Sequence, residues 1–124
     1  MIAAALLALI FAQAVPASPS ALQLADARRD ASAACQLAVA KPGMDGVPQG
    51  FCRCFARTVA PRVAALSPGD RALFLIITEF GGRTGKALKA AETRLQVSPA
   101  AFTSAWERLD PIGAAAGAKC AKRR

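Results

Sequence analysis

Apolar residues recur along this chain at spacings of three and four, and five stretches carry the pattern. The first runs from about Ala21 to Lys41 and sets Leu24, Ala27, Ala31, Ala34, Cys35 and Ala38 on one helical face. That face is rich in small side chains, which lets a neighbouring helix come close, and it leaves Arg28, Arg29 and Asp30 on the solvated side. Ser18 or Ser20 suits the N-cap. Lys41–Gly50 (KPGMDGVPQG) reads as a loop, so the next helix returns antiparallel to the first.

The second stretch, Gly50–Leu66, places Phe51, Phe55, Val59, Val63 and Leu66 in a stripe. Pro61 lies inside it and removes the hydrogen bond to Arg57, so the helix either kinks or restarts there. Ser67-Pro68-Gly69-Asp70 opens a third helix: the serine caps, the proline suits the first turn, and the acid can reach back to a free amide. Its run Leu73–Ile77, between Ala72 and Phe80, is apolar on every side, which predicts the centre of a bundle. A short buried strand is the competing reading. The start signal, and the lack of a second strand-like run, favour helix.

Gly81-Gly82 ends that element, and Thr84 caps a fourth helix whose buried side is Leu88, Ala91 and Leu95. Ser98-Pro99 opens a fifth with Phe102, Ala105, Trp106 and Leu109 on its face. Asp110-Pro111 then predicts a break or the cap of a last helical piece, followed by a basic tail of Lys119, Lys122, Arg123 and Arg124. The expected fold is all-α, a bundle of about five helices in a single domain, residues 22–124.

Two features ahead of the domain bear on compartment. Met1–Ala14 is apolar from Ile2 to Ala12 and ends in a small-x-small site, the pattern of a cleaved signal peptide, although its start lacks Lys and Arg. Residues 15–21 read as a linker, with cleavage between Ala14 and Ala21. The apolar run is too short for a bilayer that needs ~20 residues, and the mature chain is expected to carry no transmembrane segment. Ser32–Cys35 superficially resembles a lipoprotein cleavage box, but four charged residues separate it from the apolar run. A periplasmic or secreted location follows as the expectation.

In an oxidising compartment four cysteines, Cys35, Cys52, Cys54 and Cys120, imply two disulfides. Cys52–Cys54 would force a tiny ring and is discounted. Two pairings remain: Cys35–Cys54 with Cys52–Cys120, or Cys35–Cys52 with Cys54–Cys120. Cys35 lies six residues before Lys41 and Cys54 six after Pro48, and equal depth in the hairpin favours the first pairing.

The candidate chemistry is narrow. Single cysteines at 35 and 120 do not match paired zinc-finger ligands, and histidine is absent, so neither a mixed metal site nor a Ser-His or Cys-His relay can be assembled. No metal or other cofactor is expected, and no enzyme. Cys-x-Cys at 52–54 keeps copper or thiol-redox chemistry as an alternative. Gly81–Lys86 (GGRTGK) fails the phosphate-loop pattern at both ends, with Phe80 where the first glycine belongs and Ala87 after the lysine. Glu107 and Asp110 flank Arg108 and read as a surface salt cluster.

Charge is the remaining feature. Sixteen basic residues against eight acidic give +8, which favours an anionic partner: anionic lipid, an envelope polymer or an acidic protein. Nucleic acid is a poor fit for an exported chain with few aromatics. Arg53, Arg57, Arg62, Arg83, Lys86 and Lys89 are the candidate anion-binding residues. The leading expectation is a non-enzymatic exported binding domain. A second is an envelope chaperone or membrane-active module that exposes Leu73–Ile77 on opening.

Overall fold

The computed structural model describes residues 18–122; Met1–Ala14, expected to be a signal peptide, the first residues of the expected linker, and Arg123 and Arg124 lie outside them. Within that range the chain is all-helical, with five helices and no strand. They are α1 (Ala21–Val39), α2 (Phe51–Ala64), α3 (Pro68–Glu79), α4 (Gly85–Leu95) and α5 (Pro99–Ala121). Two disulfides staple the bundle.

Local chemistry sets the helix starts. Ser20 accepts from the Gln23 amide, and the Gln23 side chain accepts from the Ser20 amide at 2.8 Å, a reciprocal capping box. Ser67, Thr84 and Ser98 cap α3, α4 and α5 through the amides of Asp70, Ala87 and Ala101. At the end of α3, Gly81 takes φ +75, and the amides of Gly81 and Gly82 bond back to the carbonyls of Thr78 and Ile77. This six-to-one closure needs a left-handed residue, which glycine supplies without a Cβ clash.

The helix expected at the centre is there: α3 touches all four others. Its Leu73, Phe74, Ile76 and Ile77 are buried among Phe55, Val59 and Val63 of α2 and Phe102, Leu109 and Ile112 of α5. Each such side chain contributes roughly 1.5–3 kcal/mol on burial. Ala27 and Ala31 of α1 are fully buried, so the hairpin with α2 is close-packed through small residues. Trp106 is only half-buried at the edge of this core.

Several expectations change. Helix α5 neither breaks nor restarts at Pro111, which sits inside one continuous helix. The buried positions Leu109, Ile112, Ala116 and Cys120 carry the stripe straight past it. Packing along that stripe, together with the bond at Cys120, outweighs one missing amide. Likewise, Pro61 neither ends α2 nor starts a new helix.

Arg108 does not pair with Glu107 or Asp110; it reaches Asp70 of α3 with contacts of 2.6 and 3.3 Å. Asp70, expected to cap its own helix, is thereby used between helices. Glu79 pairs with Arg94 at 2.9 Å, tying α3 to α4.

The disulfide pairing is also corrected: the bonds are Cys35–Cys52 and Cys54–Cys120. Depth along the hairpin separates Cys52 from Cys54 by only ~3 Å, whereas rotation about the helix axis separates them by ~200°. Rotation therefore decides. Cys52 and Ala56 lie on the flank facing α1, where they share a groove wall with Ser32 and Gln36. Cys54 and Thr58 lie on the flank facing α5, with Thr58 Oγ1 3.8 Å from Cys120 Sγ.

Candidate functional site

The surface features that could hold a ligand gather at the first turn of α2. Gly50 precedes it in a left-handed conformation (φ +81) and brings no side chain to the opening amides. Phe51 follows, half-buried, with its ring stacked 6.1 Å from Phe55; Phe55 in turn stacks 6.4 Å from Phe74 in the core. The aromatic row thus runs from the surface to the bundle centre.

Phe51 forms a wall of three adjoining cavities. The largest, about 790 Å³, is an open groove between α1, α2 and the 40–50 loop. Arg28, Arg29 and Arg53 line it beside Val39, Met44, Val47 and Phe51. A second, about 250 Å³, lies over the Cys54–Cys120 bond and is lined by Arg53 and Arg57. The third, also about 250 Å³, is a mostly apolar cleft under the end of α3, walled by Phe51, Phe55, Met44, Gly113 and Ala114, with Asp110 also in its lining.

The arginines differ in how they are engaged. Arg29 is shared between Asp26 at 3.4 Å and Asp30 at 3.5 Å. Arg28, Arg53 and Arg57 are exposed, and among the described residues no carboxylate pairs with them. Cationic side chains without internal counter-charges leave a positive field over the groove.

Of the residues singled out by sequence, Arg53 and Arg57 come together here. Arg83 is turned aside: it donates to Thr103 Oγ1 at 3.2 Å and lies over the Trp106 ring, 5.5 Å from its centroid. Arg62 lies in the last turn of α2, and Lys86 and Lys89 are exposed on α4; none of the three lines these cavities. The six candidates are not one site.

Arg28, assigned by sequence to the solvated side, belongs to the groove. Met44, Gly113 and Ala114 also went unmarked. A methionine exposed between two loop glycines was the available signal for the first.

All four cysteines are bonded, and no cluster of three metal-ligating side chains occurs among the described residues. No described helix is long and apolar enough to cross a membrane. The Arg108 guanidinium is held above the usual arginine value by the hydrogen bonds it donates to Asp70 and then by the charge of that carboxylate. That pair fastens α3 to α5 and lines none of the three cavities. The chain matches no protein-family model, no curated protein and no solved structure.

Proposed function

We propose that this protein is a small exported binding domain, not an enzyme, which holds an anionic envelope component or acidic partner in the groove between α1 and α2. One observation carries the reading: Arg28 and Arg53, from two different helices, line a single groove with no carboxylate paired to either. An anion entering there meets two cations from different helices without displacing an existing ion pair at either. Its binding is screened by salt, as for any exposed site. Two disulfides suit an oxidising compartment, periplasmic or extracellular. Thiol or copper chemistry using both Cys52 and Cys54 would first require both bonds to be reduced, since the two cysteines belong to different disulfides.

The test compares binding to phosphatidylglycerol vesicles and to polyglutamate with binding to phosphatidylcholine vesicles, over a salt series. The expected result is salt-sensitive binding to one or both anions, weakened at least tenfold by Arg28→Ser with Arg53→Ser. Lys86→Ser with Lys89→Ser should remove the same charge with a much smaller effect. Equal losses from the two double variants would mean diffuse charge rather than a site.

A further inference from the structure

The groove does not end at its arginines. Val39, Met44 and Phe51 line both the cationic groove and the apolar cleft, so the two cavities adjoin along these three side chains. Resting on the anion-site reading above, we propose that they together hold one anionic single-chain amphiphile, with its head at Arg28 and Arg53 and its chain past Phe51 into the cleft.

Chemistry selects this occupant. Charge complementarity calls for an anionic head where Arg28 and Arg53 stand unpaired. The cleft wall is mostly apolar, with Phe51, Phe55, Gly113 and Ala114 among its surfaces. A methylene chain entering it needs no hydrogen-bond partner, whereas a peptide backbone would bring donors and acceptors that this lining leaves unmet. At about 250 Å³ the cleft also has no room for a helix of ~10 Å diameter. Asp110 at the cleft repels an anionic head, so the two ends are electrostatically distinct and the chain enters tail first. The groove, about 790 Å³, is within the ~300–1,000 Å³ of ordinary small-ligand sites, and the cleft, about 250 Å³, is a smaller extension of it, sized for a chain and not for a whole ligand.

The experiment is calorimetric titration of the disulfide-bonded protein with inorganic phosphate and with butyl, octyl and dodecyl phosphate, each kept monomeric. One-to-one binding is expected, tightening with chain length by up to about fourfold per methylene buried, until the cleft is full. Ala114→Trp, at an exposed helical position on the cleft wall, should flatten the chain-length dependence while leaving inorganic and butyl phosphate unchanged. Met44→Asn, in the loop, should weaken dodecyl phosphate several-fold and butyl phosphate little; it stands in if Ala114→Trp loses its helical circular dichroism.

Arg28→Ser with Arg53→Ser should weaken every chain length alike. Presenting dodecyl phosphate in phosphatidylcholine vesicles separates the sources: extraction into a one-to-one complex marks a ligand taken from a bilayer, and binding only the free monomer marks one taken from solution.

Equal affinity at all chain lengths would overturn this inference and leave the anion site standing. A chain-length rise untouched by both cleft variants would overturn it too, as would tighter binding of an acidic peptide bearing one leucine. Failure to bind any of the phosphates, with no binding to anionic vesicles or polyglutamate, would remove both readings.

Discussion

Cys120, in the last turn of α5, is bonded to Cys54, in the first turn of α2, 66 positions away in sequence and at a Cα–Cα distance of 5.7 Å. The bond closes a loop that contains most of α2, all of α3 and α4, and nearly all of α5. By chain entropy it stabilises the fold by about 4 kcal/mol, against about 3 for the 17-residue closure at Cys35–Cys52. Cys54→Ser with Cys120→Ser should therefore lower the unfolding free energy more than Cys35→Ser with Cys52→Ser. Urea denaturation of the two double variants checks the order; the reverse order would place strain or residual denatured structure above loop length.

Helix α5 carries three interior residues that its conformation does not favour, Pro111, Gly113 and Gly117, of which the first two are adjacent to the core residue Ile112. Pro111 is exposed, and replacing it with alanine restores the amide for Glu107. A Cβ at Gly113 would meet Phe74 at 3.6 Å, ordinary contact. Gly113→Ala should stabilise by about 1 kcal/mol, and Pro111→Ala by roughly 2, less than the full interior-proline cost because the freed chain regains entropy when unfolded. Thermal melting and denaturant midpoints measure both. A loss of stability in Pro111→Ala would show that the proline ring is needed by the packing.

The side chain of Lys41 donates from Nζ to the carbonyl of Glu79 at 2.6 Å and sits 4.4 Å from the Phe80 ring centroid. It satisfies a carbonyl at the C-terminal end of α3 from the segment that follows α1. Lys41→Ala should cost about 1 kcal/mol. Lys41→Gln should recover part of that by keeping the donor without the charge. Hydrogen exchange should quicken first at the last turn of α3.

Arg108 and Asp70 bridge α5 and α3 at the surface, with the arginine side chain exposed. Arg108→Gln should lower the melting temperature slightly in low salt, and the difference should shrink as salt is added. The sign with pH follows from the raised arginine value: this contribution is intact below arginine's ordinary range and fades only as pH rises through the elevated one. Melting curves between pH 6 and 9 should keep a constant gap between wild type and variant.

Helix identities were legible because their signals are local. Ser20 with Gln23, Ser67-Pro68, Thr84 and Ser98-Pro99 each declare a start within four residues, and the spacing of Phe55, Val59 and Val63 declares a buried face. Illegible features were those decided across the bundle. The partner of Arg108 lies 38 residues away in sequence. The fate of α5 at Pro111 depended on what Ile112, Ala116 and Cys120 would find to pack against. Arg28 could be placed on a polar face, but nothing nearby in sequence showed that Arg53 would line the same groove. The disulfide pairing turned on the roll of α2, which depth along a hairpin does not report.

That roll has a consequence for how the protein matures. With Cys52 and Cys54 on opposing sides of one turn, the alternative bond from Cys35 to Cys54 would require α2 to revolve by ~200°, lifting Val59 and Val63 into solvent and driving Arg57 inward. Native docking must therefore precede oxidation, and helix packing acts as the proofreader of sulfur chemistry. A reduced chain oxidised abruptly in denaturant should scatter among isomers, whereas a glutathione buffer, which lets thiolates attack and re-sort mistaken bonds, should return it to a single species.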